Sequence, residues 1–174
     1  MRFQFALAAI AISSAVALPV AERSIFDKTS VISSTKHINA PVEDVIATLH
    51  DFQKMINLNP LVTKSEADPT NPNVIKVTDS VPLFLGISLP TTYTATFEAV
   101  DGGMNTDNAV AAGVSLHNEW RAVANATGGT DLTETDTLTA NFLLSGIITS
   151  ELTTSHNQLV DTLATQLEAA AGTA

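Results

Sequence analysis

The chain of 174 residues contains no cysteine. That removes disulfides, cysteine nucleophiles and thiolate metal sites together, so stability must rest on burial alone. Basic residues are scarce as well: 8 Lys and Arg stand against 18 Asp and Glu, a formal charge of −10. A balance of that sign repels phosphate backbones and anionic headgroups, which argues against nucleic acid and anionic membrane surfaces as partners. No glycine-rich phosphate loop precedes a helix and no Gly-x-Ser-x-Gly elbow occurs, so nucleotide binding and the common hydrolase plans lack support. What is present is apolar material. Hydrophobic residues make up 45% of the chain against 15% charged, enough for one ordinary domain with a full core.

The first 17 residues differ from the rest. Met1 to Ala17 places Arg2 before an apolar run and ends on Ala15-Val16-Ala17, a small-x-small pattern, and reads as a signal peptide cleaved before Leu18. Its removal leaves 7 basic against 18 acidic residues, a formal charge of −11. No later segment approaches the roughly 20 apolar residues of a membrane span. The expectation is an exported protein without a membrane span: residues 18–30 an irregular lead-in, residues 31–172 one domain. The sole Asn-x-Ser/Thr acceptor, Asn125-Ala126-Thr127, precedes Gly128-Gly129 and would carry any glycan at a loop tip.

His37 to Val62 carries the most information, because a strand there hands over directly to two short helices. Residues Val31 to Asn39 mix β-branched and polar side chains as a first strand does. Pro41 suits a first helical turn, Glu43 and Asp44 favour the positive end of its dipole, and Val42, Val45, Ile46, Leu49 and Phe52 recur at helical spacing. Asn59-Pro60 breaks the pattern. Six short alternating segments follow: Val62 to Ala67, Val74 to Val81, Thr91 to Val100, Asn105 to Ala111, Val114 to Ala124 and Asp131 to Asn141. Asp101-Gly102-Gly103 supplies a hairpin turn after the third. A helix from Ser145 or Gly146 to Ala171 closes the chain, with Ile148, Leu152, Leu159, Leu163, Leu167 and Ala170 in one stripe and Glu151, Thr154, Asn157, Asp161, Thr165 and Glu168 opposite. That stripe requires a sheet to lie on.

Four polar side chains fall on apolar faces. His156 sits inside the helical stripe between Leu152 and Leu159; it reads first as a core histidine tied to a backbone carbonyl or helix residue, and second as a ligand contact or a base working near neutral pH. Glu134 and Asp136 share parity with Leu132, Leu138 and Ala140 on the last strand. Acidic residues are seldom buried unpaired, so a solvated face is expected for them. If that face is concave, they could divide into an acid and a base; a single β-bulge would instead turn Thr133, Thr135, Thr137 and Thr139 inward. Tyr93 lies on an apolar face, either satisfied in the core or presenting its hydroxyl to a pocket. His37, His50 and His117 are scattered without metal-ligand spacing, so neither metal nor cofactor is expected. Arg121, opposite Trp120 by alternation, is expected to be solvated and paired with a cross-strand neighbour of Glu119.

The order strand, two short helices, six strands and a long terminal helix resembles the helix-grip fold of START-like and Bet v 1-like proteins. His50-Asp51, Met55-Ile56, Asn59-Pro60-Leu61-Val62, Trp120, Leu132-x-Glu134, Leu143-Leu144-Ser145-Gly146 and His156 with Leu159-Val160 are similar to a fungal START-like family of unassigned function. Members of that family look mostly cytosolic, a point from which the leader sequence here departs. The resemblance implies an α+β fold, a curved seven-stranded antiparallel sheet around the C-terminal helix, with a cavity used across the superfamily for lipids, sterols, phenolics and polyketides, and in a minority for cyclisation or dehydration. The resulting expectation is a carrier that binds an apolar small molecule without transforming it. Its cavity would be lined by Leu49, Tyr93, Phe97, Leu116, Trp120, Leu152, His156, Leu159 and Leu163. The rivals are a polyketide cyclase or dehydratase using His156 as base with Glu134 or Asp136 as acid, and a secreted interaction protein with a filled core. The oligomeric state is left open.

Overall fold

A computed structural model describes residues 27–82, 87–110 and 113–172, the side chain of residue 144 excepted. The leader at residues 1–17, and the lead-in as far as residue 26, lie outside them. The elements are β1 (Asp27–Ile38), α1 (Val42–Leu49), α2 (Phe52–Leu58), β2 (Val62–Asp68), β3 (Asn71–Pro82), β4 (Ser88–Val100), β5 (Gly103–Val110), β6 (Ser115–Ala124), β7 (Thr130–Asn141) and α3 (Phe142–Ala171). The seven strands form one antiparallel sheet in the order β1-β7-β6-β5-β4-β3-β2. This is the expected α+β helix-grip arrangement. β1 begins at Asp27 rather than Val31, and α3 at Phe142 rather than Ser145, because the Asn141 side chain caps the helix by accepting from the Leu143 N–H at 3.1 Å.

The short helices start and stop for local reasons. Pro41, with φ −58°, precedes α1, whose first turn holds Glu43 and Asp44. The Asp51 carboxylate accepts from the Lys54 N–H at 3.0 Å to cap α2, and Asn59, held extended before Pro60, ends it. Between the helices the His50 Nε2–H donates to the Gly103 carbonyl at 2.8 Å and fixes this corner to β5. Gly103 has no room for a side chain: an added Cβ would lie 1.8 Å from the Trp120 carbonyl oxygen.

β7 alternates without interruption. Thr130, Leu132, Glu134, Asp136, Leu138 and Ala140 are buried, and the intervening residues are half-buried. Its registers with β1 and β6 run without a shift, so no bulge turns the threonines inward. Those threonines instead form an outer ladder with β1, through Thr29–Thr139 at 3.1 Å and Thr35–Thr133 at 2.9 Å. α3 crosses the concave face for ~45 Å at 1.5 Å per residue. Leu159, Val160, Leu163, Ala164 and Leu167 join Ile38, Val45, Leu49, Ile75 and Leu132 in a continuous core under its C-terminal half. Ala170, expected in the stripe, is exposed, and Ser155, Val160 and Ala164 are buried on it instead.

Two glycine replacements test this geometry in opposite directions. Gly103→Ala is expected to cost about 3 kcal/mol, because backbone rather than a flexible side chain opposes the new methyl. Gly146→Ala meets nothing within 4 Å on a helix and is expected to stabilise by about 0.5–1 kcal/mol through lower unfolded-state entropy. Urea unfolding of both variants beside the parent protein measures the two signs.

Candidate functional site

Beneath the N-terminal half of α3 the packing opens. A cavity of 510 Å³ lies between Ile147–Leu159 of α3, Met55 and Ile56 of α2, and the concave faces of β3 to β7. Exposed Leu89 and Ile147 mark its mouth, and its walls are mostly aliphatic and aromatic. Seven of the residues expected at a cavity surface meet in it: Tyr93, Phe97, Leu116, Trp120, Leu152, His156 and Leu159. Leu163 and Leu49 do not. Both are fully buried in the adjoining core, Leu163 one turn beyond Leu159 on α3 and Leu49 at the end of α1. Glu151, assigned by angular position to the solvent side of α3, lines the cavity.

The polar groups of this cavity lie along one band of the sheet. Thr106 of β5 stands opposite Asn118 of β6, which stands opposite Asp136 of β7. The Thr106 hydroxyl donates to Asn118 Oδ1 at 2.8 Å, the Asn108 amide donates to the same oxygen at 2.9 Å, and the Asn118 amide donates to Asp136 Oδ1. Beside them Glu134 meets the imidazole of His156, whose Nδ1 lies against Glu134 Oε1 and 3.6 Å from Asp136 Oδ2. Glu134 and Asp136 are each only 3% exposed. The expected solvated face is therefore corrected: His156 descends from α3 and supplies the partner that makes burial tolerable. His156 itself is tied to a carboxylate, not to the backbone carbonyl or helix residue expected for a core histidine.

With Nδ1–H donated to a carboxylate, the second ring nitrogen is left to face the cavity, and among the described residues Nε2 has no hydrogen-bond partner. The Trp120 ring lies 6.2 Å from the imidazole, inclined by 29°. Burial pushes the Glu134 carboxyl up to about 7, partly offset by the His156 contact. Burial opposes charge on His156, but the Glu134 hydrogen bond and the charges of Glu134, Asp136 and Asp79 outweigh it and raise the imidazole above its ordinary value. The pair thus holds a proton through neutrality.

Sequence reasoning missed Asp79, Asn118, Thr106 and Asn108. Asp79 of β3 shares parity with buried Ile75 and Val77 and is itself 8% exposed. The Tyr93 hydroxyl lies beside its carboxyl and, with the charge of His156, partly offsets the effect of burial, while Asp79 Oδ1 has no hydrogen-bond partner among the described residues. Burial raises Asp79, and burial with the Asp79 charge raises the Tyr93 hydroxyl. Parity with the apolar neighbours was the available signal at each position. As for metals, Glu134, Asp136 and His156 offer three donor atoms within 4.8 Å of one another. That donor set suits a divalent cation, but imidazole and carboxylate already satisfy one another through a shared proton. The remaining histidines serve the scaffold: His37 pairs with Asp131 and His117 with Asp107. Arg121 pairs with Glu119 itself, not with its cross-strand neighbour, and donates to the Met104 and Trp120 carbonyls. Asn125 lies in the β6–β7 turn with its side-chain amide donating to Asp131 at 2.7 Å.

Residues 27–169 match the family model described as "Domain of unknown function (DUF7053)". The chain belongs to this family. No curated protein matches it in sequence. The DUF7053 fold seen here is similar to several solved structures. One is the Zhui aromatase/cyclase from Streptomyces sp. R1128, with a TM-score of 0.57 at 16% identity over 78% of this chain and 93% of that one. Another is norcoclaurine synthase from Thalictrum flavum, with 0.56 at 13% over 81% and 97%. A START superfamily protein from Mycobacterium smegmatis gives 0.60 at 12% over 79% and 97%. The di-domain aromatase/cyclase StfQ gives 0.63 at 12%, and the chain spans about half of it, covering 52%. At such identities the likeness shows the fold, which is that of START-like and Bet v 1-like proteins.

The proton held by the buried pair has a thermodynamic signature. Glu134 and Asp79 are raised carboxyls and His156 is a raised base, so the folded state binds more protons than the unfolded one. Stability should therefore fall as pH rises. The loss begins near pH 3.8, the ordinary Asp value, with Asp79, continues from 4.5 through about 7 as Glu134 ionises, and extends above 6.5 as His156 loses its proton. Glu134→Gln should flatten the decline, as measured by urea midpoints at pH 5, 6, 7 and 8.

Proposed function

We propose that this protein binds one apolar small molecule in the cavity under α3, with His156 as the polar contact at its floor. The observation that carries the reading is a 510 Å³ space with aliphatic and aromatic walls and a few convergent polar groups. Specific small-molecule sites have that size and composition. Leu116, Leu152, Leu159, Phe97 and Trp120 would contact the apolar body, and Tyr93 and His156 its polar end. The proposal includes export, which rests on the sequence of Met1 to Ala17.

A second reading is favoured by one detail, the orientation of His156 by Glu134. An imidazole with Nδ1 on a carboxylate and Nε2 toward a cavity is arranged for general acid–base catalysis, donating from Nε2–H while the pair keeps its proton and accepting at Nε2 once that proton is lost. In that reading the protein cyclises or dehydrates a polyketide-like substrate, with Asp136 or Glu134 holding the proton. Turnover lost in His156→Gln with ligand binding retained would favour it over a carrier.

The neutral dye 1-N-phenylnaphthylamine tests the cavity directly. Its emission should rise saturably with one site per chain, and emission from Trp120, the only tryptophan, should be quenched in parallel. Leu116→Trp, which fills the space, should weaken binding about tenfold or more, equivalent to ~1.4 kcal/mol. Non-saturable dye uptake, or full binding by the filled variant, would contradict the proposal.

A further inference from the structure

The cavity described above carries an imbalance of charge that its apolar walls conceal. Of the described residues lining it, Asp79 and Glu151 are acidic, His156 is the sole basic side chain, and neither Lys nor Arg is present. Immediately behind His156 lie Glu134 and Asp136, both buried. One imidazole therefore answers three buried carboxylates, and Glu134 and Asp136 already engage it at Nδ1. Asn118 satisfies one oxygen of Asp136. Asp79 has the Tyr93 hydroxyl beside it and feels the charge of His156 only at a distance, and its Oδ1 has no hydrogen-bond partner among the described residues although the residue is 8% exposed.

A buried carboxylate oxygen without a donor is costly, and a ligand that brings a donor recovers that cost. A ligand that brings a positive charge recovers more, because charge-assisted hydrogen bonds are stronger than neutral ones in a site walled off from water. The neighbouring walls suit a cation as well as an apolar body, since Tyr93, Phe97 and Trp120 all line the same space. A carboxylate ligand would find one favourable charge, His156, already engaged by Glu134 and Asp136, while Asp79 and Glu151 would oppose it.

We propose that the ligand class is an apolar amine, its protonated nitrogen held by Asp79 beside Tyr93 and its hydrocarbon body lying along α3. This rests on the cavity-binding reading and narrows it to cations, setting the site against fatty acids and other apolar anions. Burial raises the Asp79 and Glu134 carboxyls, and a bound cation would oppose that shift. Asp79 thereby takes a binding role at a position where the strand pattern of β3, after Ile75 and Val77, calls for a third core aliphatic.

The test uses three probes that share one hydrocarbon tail, decylamine, decanol and decanoate, each titrated at pH 7 against the whole protein by displacement of 1-N-phenylnaphthylamine. The amine is expected to bind about tenfold more tightly than the alcohol, and the carboxylate more weakly than either. In Asp79→Asn the amine-to-alcohol ratio should fall towards one. In Asp161→Asn, which removes the same charge from an exposed site paired with Lys36, the ratio should persist; loss of the preference there too would assign it to surface charge and overturn the proposal. Decanol bound as tightly as decylamine, or decanoate bound best, overturns the amine assignment and leaves the apolar cavity reading standing. Failure of all three probes overturns both. The series on the unaltered protein decides by itself if Asp79→Asn does not fold.

Discussion

Two carboxylates can stay inside this protein because one imidazole comes down to meet them. Glu134 and Asp136 point inward by the strict alternation of β7, and their cross-strand neighbours Ser34, Trp120, Ile32 and Asn118 carry no charge. His156 closes that gap from the opposite layer, so the contact between α3 and the sheet is electrostatic at one end and apolar at the other. Removing either partner would strand charge in a medium that solvates it poorly. The placement of α3 is thereby tied to the placement of β7. The cavity lies beside this contact, while two to three turns further on Leu163 and Leu167 are buried in the core.

Much of this was legible in the residues. The handover from β1 to α1 and α2 was marked by Pro41 and Asn59-Pro60, and α3 by its heptad-like apolar stripe, because backbone restriction and helical periodicity are local properties. His156 announced itself as a polar residue inside that stripe. The carboxylates were read with the right parity, but burial could not be inferred from β7 alone, since it depends on a partner some twenty residues away on another layer. Asp79 was passed over for the same reason: its alternation with Ile75 and Val77 was visible, but its exposure depended on the position of Tyr93 across the strand pair. Leu163 was placed at the cavity because angular position gives a face, and not a position along the helix.

The chemistry of the site follows from a contrast between walls and floor. The walls reward hydrocarbon without selecting among hydrocarbons, since apolar burial scales with area. The floor selects. A band running Thr106, Asn118, Asp136 is closed on itself by hydrogen bonds, whereas Asp79 Oδ1 and the cavity-facing nitrogen of His156 are not. Rigidity in the first group and unmet capacity in the second are what a binding site requires: the closed network holds its geometry without a ligand, and the open positions gain when one arrives. The acidic balance of the whole chain, 18 against 8, points the same way by drawing cations toward the mouth.

The central claim is that the space under α3 is a binding cavity and not a packing fault. Native mass spectrometry of the protein purified from its own host tests it most directly. The account predicts a fraction of molecules carrying one additional small-molecule mass that is released on denaturation. Only the bare polypeptide mass, under conditions gentle enough to keep the chain folded, would contradict it.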